Sequence, residues 1–345
     1  MAKLLLENGL EFVGKAFGYP ANTAGEVVFT TNMTGYQETL TDPSFAGQIV
    51  CMTYPLIGNY GLNFEDMESD RPKLRGLIVR ENCEFPNNWR SKMDLDSFLN
   101  KYQITGLKGI DTRKLTKILR TEGAMKGKVI VNDEEIPDFS EQDKNLVASV
   151  TCKQAYTISC PGSRYQLAVL DFGAKTGILR ELAKNDCELY VYPAFTSANE
   201  ILANNPDAVF LTNGPGDPKD IPSVIEVVKT LMDAKPVLGI CLGHQLIGLA
   251  SGCDTSRLKF GHHGGNHPVK DLRNGRVYIT SQNHNYVVSD LTDDIEVTHI
   301  NVNDNTIEGI RHKNKPVISV QFHPEASPGP IDTNFLFADF LRTLS

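Results

Sequence analysis

With 345 residues, a formal charge of −8 and 41% hydrophobic residues, the chain is long enough for about two cored domains and carries no basic excess for nucleic acid. No apolar run approaches the ~20 residues of a membrane span, and the opening Met1–Glu7 is too brief for a signal peptide. Seven scattered cysteines without a C-x-x-C pair predict free thiols in a reducing cytoplasm rather than a disulfide framework.

In chain order, the first half holds alternating strands such as Glu26–Thr31 and Gln48–Thr53 and a helix over Thr112–Glu122. It lacks regular strand–helix alternation, which predicts a separate, smaller α+β domain within residues 1–150. The acidic stretch Asp133–Glu141, with Pro137 inside it, reads as an exposed connection. A second seam, Ser159–Ser163, precedes the next domain.

From Tyr165 to the end, residues 165–345, the pattern changes. Gln166–Asp171 is followed by a helical Thr176–Lys184, Glu188–Tyr192 by Ser197–Asn204, and Asp207–Thr212 by Ile221–Ala234. Repeated βα units predict an α/β domain with an open, mostly parallel sheet and helices on both faces. Functional groups in such folds gather at the carboxyl ends of strands.

Three motifs fall at those ends. After Asp207–Thr212 comes Asn213-Gly214-Pro215-Gly216-Asp217-Pro218, a rigid loop whose N–H groups are open to hold a negative oxygen; alone, such a stretch is more often just a turn. After the strand Pro236–Ile240 comes Cys241, in Gly239-Ile240-Cys241-Leu242-Gly243, with a helix starting at Leu242. Glycines on both sides permit a crowded strand-to-helix turn, and the helix N-terminus favours the thiolate, the nucleophilic form. Cys241 is thus a candidate nucleophile, against the alternative of a small buried hydrophobe. Finally, Val317–Phe322 ends in His323-Pro324-Glu325, where an imidazole two residues from a carboxylate suits a base with its orienter. His244, three residues after Cys241, is a rival base, though the helix would point it away from the thiol.

His262, His263 and His267, with Cys253 upstream, match no metal-ligand spacing and have no carboxylate beside them in sequence, so no metal is expected. The glycines around residue 173 form no nucleotide-binding pattern. A C-terminal helix over Ile331–Leu344 closes the chain, leaving no room for an ATP-using synthetase.

N-G-P-G-D-P, G-I-C-L-G-H-Q and H-P-E, in that order, resemble the class I (triad) glutamine amidotransferases. The resemblance extends across the chain. Thr23–Phe29, Gly35–Glu38, Thr41–Ser44, Thr53–Gly61, Gly109–Arg113, Phe260–Pro268 and Ser281–His284 are similar to the small subunit of carbamoyl-phosphate synthetase. That resemblance implies an N-terminal domain over 1–150 and an amidotransferase domain over 165–345. It implies a glutaminase with the triad Cys241, His323 and Glu325 and glutamine contacts at Ser44, Gly214, Gly216, Leu242, Gln245, Asn283, Asn285 and Tyr286. The implied partner is a large synthetase subunit, in a heterodimer or higher oligomer. It would receive ammonia through a tunnel and make carbamoyl phosphate from bicarbonate with ATP and magnesium, for arginine and pyrimidine synthesis. No cofactor is implied in this chain. Rival readings are a glutaminase subunit for another synthase, a hydrolase of other γ-glutamyl compounds and a degenerate binding subunit. One departure stands out: the family's glycine after Gln282-Asn283-His284 is here Asn285, followed by Tyr286 instead of the commoner phenylalanine. Asn tolerates the left-handed region, so the expectation is a positive φ at Asn285 with its side chain turned from the thiol.

Overall fold

The computed structural model describes residues 2–132, 138 and 145–344. The acidic connection expected at Asp133–Glu141 lies outside the described residues apart from Asp138. The chain divides into two compact units: Met1–Lys144 with Lys259–Gly264, and Asn145–Leu258 with Gly265–Ser345. The Ser159–Ser163 stretch falls inside the second unit. No helix among the described residues is long and apolar enough to cross a membrane.

The first unit contains β1 (Ala2–Leu6), β2 (Glu11–Gly18), β3 (Thr23–Thr30), α1 (Tyr36–Thr41), β4 (Gln48–Met52), β5 (Leu56–Ile57) and β6 (Gly76–Val79). It continues with β7 (Glu81–Asn82), α2 (Leu95–Lys101), β8 (Thr105–Lys108), α3 (Thr112–Glu122) and β9 (Met125–Ile130). Strands β1-β2-β8-β6-β4-β3-β9 close a barrel, and β5 pairs with β7 apart from it. Closure rests on β1 pairing with β9, Leu4 opposite Val129, a contact between the two ends of the unit. Both faces of β4 and β6 are buried, so these strands read as apolar runs without the alternation of a half-buried strand. On α3, Leu115 and Leu119 pack into the cluster formed by Leu4, Val27, Ile49 and Leu107. Asp111 caps that helix, its Oδ1 accepting the Lys114 N–H at 2.9 Å.

The second unit holds α4 (Leu146–Val150), β10 (Tyr156–Ile158), β11 (Tyr165–Asp171), α5 (Thr176–Lys184), β12 (Cys187–Pro193), α6 (Ala198–Ala203), β13 (Ala208–Leu211) and α7 (Pro222–Ala234). After them come β14 (Val237–Ile240), α8 (Leu242–Ala250), β15 (Asp254–Asp271), β16 (Val277–Ser289), β17 (Ile295–Asn301), β18 (Ile307–His312), β19 (Val317–Val320) and α9 (Leu336–Arg342). They form one sheet in the order β10-β12-β11-β13-β14-β19-β18-β17-β15-β16. One side is covered by Ile201, Val224, Leu231 and Leu246 of α6, α7 and α8, the other by Ile178, Leu182, Phe337 and Phe340 of α5 and α9.

Only β12, β11, β13, β14 and β19 pair in parallel. The sheet is therefore mixed rather than mostly parallel. From β15 to β19 no helix intervenes between strands, so consecutive strands β17, β18 and β19 turn back on one another and pair antiparallel. The last helix is also shorter than expected: Asp332–Phe335 are turns, with Leu336 N–H donating to the Thr333 carbonyl at 3.0 Å.

β14 lies between β13 and β19, parallel to both, with Leu211 opposite Gly239 and Ile240 opposite Val320. Three segments therefore leave the sheet side by side at its carboxyl edge: the Asn213 loop, Cys241, and the run to Glu325.

Candidate active site

Cys241 stands in the turn between β14 and α8 with φ 54° and ψ −106°, a conformation non-glycine residues rarely adopt. Its neighbours over-determine it. Cys241 N–H donates to the Val320 carbonyl at 3.0 Å, Gln245 N–H to the Cys241 carbonyl at 3.1 Å, and Gly243 N–H to the Thr212 carbonyl at 3.0 Å. Glycine is required at 243, because a Cβ there would stand 2.7 Å from both the carbonyl carbon and the Cβ of Leu211. The turn thus locks α8 onto the ends of β13 and β19. The thiol is 1% exposed, and its Sγ donates to the Asn283 carbonyl at 3.6 Å.

His323 is fixed from the other side. Its N–H donates to the Ser281 carbonyl at 2.9 Å, and its Nδ1 meets Glu325 Oε1 at 2.7 Å. Nε2 is buried with no hydrogen-bond partner, so the free nitrogen is the one left for chemistry. Burial opposes a charged imidazole. The Glu325 carboxylate and the adjacent Cys241 sulfur outweigh it and raise His323 to about 10.

The sequence reading missed Lys175. It follows β11 at the same carboxyl edge, is fully buried, and its Nζ donates to Glu325 Oε1 at 2.9 Å and to the Ala326 carbonyl at 2.5 Å. Its own N–H donates to Asn213 Oδ1 at 3.0 Å. Burial would raise the Glu325 carboxyl, but Lys175 and then His323 hold it down at about 2. The constellation is therefore a buried chain, Lys175–Glu325–His323–Cys241. A signal existed in Phe172-Gly173-Ala174-Lys175: a lysine at the carboxyl end of a parallel strand, ahead of the apolar helix α5.

His244, the rival base, is held by a serine hydroxyl and not by a carboxylate. Its Nδ1 meets Ser319 Oγ at 2.9 Å beneath the sheet edge. Burial, then repulsion from His299, lowers it to about 3, so it is neutral and already engaged. The other expected residues are distributed as follows. Leu242 opens α8, where its N–H has no intrahelical acceptor. Gly214 packs so closely on Phe172 that no Cβ fits, and Gly216 has φ 92°. Gln245 Nε2 donates to the Tyr286 carbonyl at 2.8 Å and Gln321 Oε1 at 3.1 Å. Ser44 belongs to the first unit, in the turn Pro43–Phe45, where its N–H donates to Asp42 Oδ1 at 2.9 Å.

Asn285 corrects an expectation. It lies within β16 in extended backbone, and it is absent from the positive-φ residues. The strand runs on through Tyr286-Val287-Val288, so no turn forms at which a left-handed residue would be needed. All seven cysteines are free, as the reading without disulfides requires.

A strained cysteine at a strand-to-helix turn, a histidine–carboxylate pair on the adjacent strand end and a glycine loop thus meet at one edge of the sheet. Residues 168–343 match the class I glutamine amidotransferase family. Residues 4–129 match the CPSase domain of the carbamoyl-phosphate synthase small chain. The chain is 52% identical to the carbamoyl phosphate synthase small chain of Clostridium perfringens, with 99% of each chain covered. It is also 52% identical to the pyrimidine-specific small chain of Bacillus subtilis, over 99% of this chain and 95% of that one. The chain belongs to the carbamoyl phosphate synthase small-chain family, and its role is that of the glutaminase subunit.

Proposed function

We propose that Cys241 is the nucleophile in glutamine hydrolysis, with His323 as its base and Glu325 as the orienter. The thiol's proton rests on His323 Nε2, whose charged form Glu325 favours, and Sγ attacks the side-chain amide carbon of glutamine. The resulting oxyanion is held by the Leu242 N–H and a glycine N–H of residues 214–216. As the C–N bond breaks, His323 returns the proton to the leaving nitrogen, releasing ammonia and a γ-glutamyl thioester. Water, deprotonated by His323, then attacks the thioester carbonyl, giving glutamate and the free thiol. Glu325, fixed by Lys175, steadies the imidazolium in each step. Ser44, Gly214, Gly216, Leu242, Gln245, Asn283, Asn285 and Tyr286 bind glutamine in this reading, with Asn285 contributing from a strand.

The ammonia passes to a large synthetase subunit, which joins it to bicarbonate with ATP and magnesium. The product serves pyrimidine synthesis, as the name of the Bacillus subtilis relative says of that protein, and arginine synthesis. The observation that carries the mechanism is the buried His323–Glu325 pair at 2.7 Å on the strand next to a cysteine forced to φ 54°. The test is Cys241→Ser in the reconstituted complex. Glutamine-dependent synthesis should vanish, since serine is far harder to ionise, while synthesis from added ammonia survives. Loss of both in a folded complex would refute the division of labour.

A further inference from the structure

Two amide side chains of the second unit are coupled beside the thiol. Gln245 stands one turn along α8 from the cysteine, its N–H donating to the Cys241 carbonyl at 3.1 Å. Its Nε2 donates to the Tyr286 carbonyl at 2.8 Å and to Gln321 Oε1 at 3.1 Å, which uses both amide hydrogens. A backbone carbonyl can only accept, so Tyr286 determines which end of the Gln245 amide faces it, and Gln321 must then present its oxygen. Gln245 Oε1 accepts from no described residue and is not among the atoms sealed from solvent.

Gln321 follows β19, two positions before His323, and is fully buried. Its backbone N–H donates to the Glu308 carbonyl at 2.9 Å. Its side-chain oxygen serves Gln245, while its own Nε2 is buried with no partner. A sealed, unsatisfied donor costs stability, and an apolar side chain of similar size would avoid that cost. Packing therefore does not account for an amide at this position. Its side-chain hydrogen bond among the described residues is the one to Gln245.

We propose that Gln321 is a positioning residue for glutamine binding: it locks the Gln245 amide with Oε1 toward the substrate, as an acceptor for a glutamine N–H. The proposal rests on the glutamine contact given to Gln245 above. Without Gln321, one bond to Tyr286 holds the Gln245 amide, and substrate binding must remove the freedom it regains. Gln321 makes no hydrogen bond to Cys241, His323 or Glu325, so the loss falls on KM rather than on kcat.

The test is steady-state glutaminase kinetics of the full chain in complex with its large subunit, with a melting temperature for each variant to show that it is folded. Gln321→Met removes the acceptor and should raise KM for glutamine about 3- to 10-fold, the worth of one hydrogen bond, with kcat within about twofold of the parent. Gln321→Glu keeps an oxygen facing the Gln245 N–H and should hold KM within about twofold, whatever its charge does to kcat. Gln245→Met should raise KM by itself, and adding Gln321→Met to it should raise KM no further, because the second residue acts through the first. A parental KM in Gln321→Met, a fall in kcat alone, or KM losses that multiply in the double variant would overturn the proposal and leave the Gln245 contact standing. Should Gln321→Met not fold, Gln321→Glu still decides, since a raised KM in that folded chain overturns the proposal. A parental KM in Gln245→Met would overturn the glutamine contact, and the proposal with it.

Discussion

Replacing Lys175 by methionine isolates the residue that the motifs do not announce. Methionine keeps most of the aliphatic stem and removes the ammonium, leaving Glu325 with His323 alone; Glu325 Oε2 already lacks a partner. The carboxyl stands at about 2 against an ordinary 4.5. At ~1.4 kcal/mol per pKa unit, that depression corresponds to about 3 kcal/mol, shared between Lys175 and His323. Breaking a buried pair outright costs ~3–5 kcal/mol, and His323 retains part of the interaction, so a loss of ~1–3 kcal/mol follows. A carboxyl depressed on folding adds stability that is fully present above 4.5 and disappears as pH falls towards 2. The deficit of Lys175→Met should therefore be largest at neutral pH and shrink on acidification through that window. Urea denaturation of both proteins at pH 7 and at the lowest pH where the parent stays folded measures it. The turn from His323 to Ala326 loses its anchor too, so kcat should fall by about 10- to 100-fold, the scale for a catalytic group displaced by ~1 Å. A deficit that does not change with pH, or a kcat within twofold of the parent, would refute the role given to Lys175.

Four further substitutions probe the same site. Gly243→Ala places a Cβ against Leu211 backbone that cannot swing away; it should cost ~1–3 kcal/mol in urea denaturation and lower kcat by displacing Cys241. Glu325→Gln should lower kcat less than His323→Ala does, because the orienter moves no proton, and it should shift the His323 titration downward, since the carboxylate that raises it is gone; equal losses would give Glu325 a direct part in proton transfer. Asn285→Gly should destabilise by ~0.5–1 kcal/mol, as glycine does within a strand, whereas a gain in stability would mean that Asn285 is strained there.

The positions of Cys241, His323 and Glu325 were legible because each is tied to a local pattern that also fixes its place in the fold. Cys241 sits between glycines after an apolar strand, and His323 and Glu325 end another. The βα alternation places Cys241 and the Asn213 loop side by side, and the parallel pairing of β19 with β14 adds His323 and Glu325. Lys175 carries no such pattern. Its partner is Glu325, 150 positions away, and only the parallel order β11-β13-β14-β19 makes them neighbours. The same limit hid the barrel, whose closure depends on β1 meeting β9 and whose β4 and β6 are buried on both faces and so lack a period. Asn285 failed for a different reason. A glycine in a family pattern was read as a demand for positive φ, but glycine is also used where a side chain would intrude on a neighbouring group. With Asn285 extended and the thiol bonded two residues earlier to the Asn283 carbonyl, close approach is the constraint consistent with the strand. In the proposed glutamine site, the residue at 285 would then act through its side-chain bulk, not through its backbone angle.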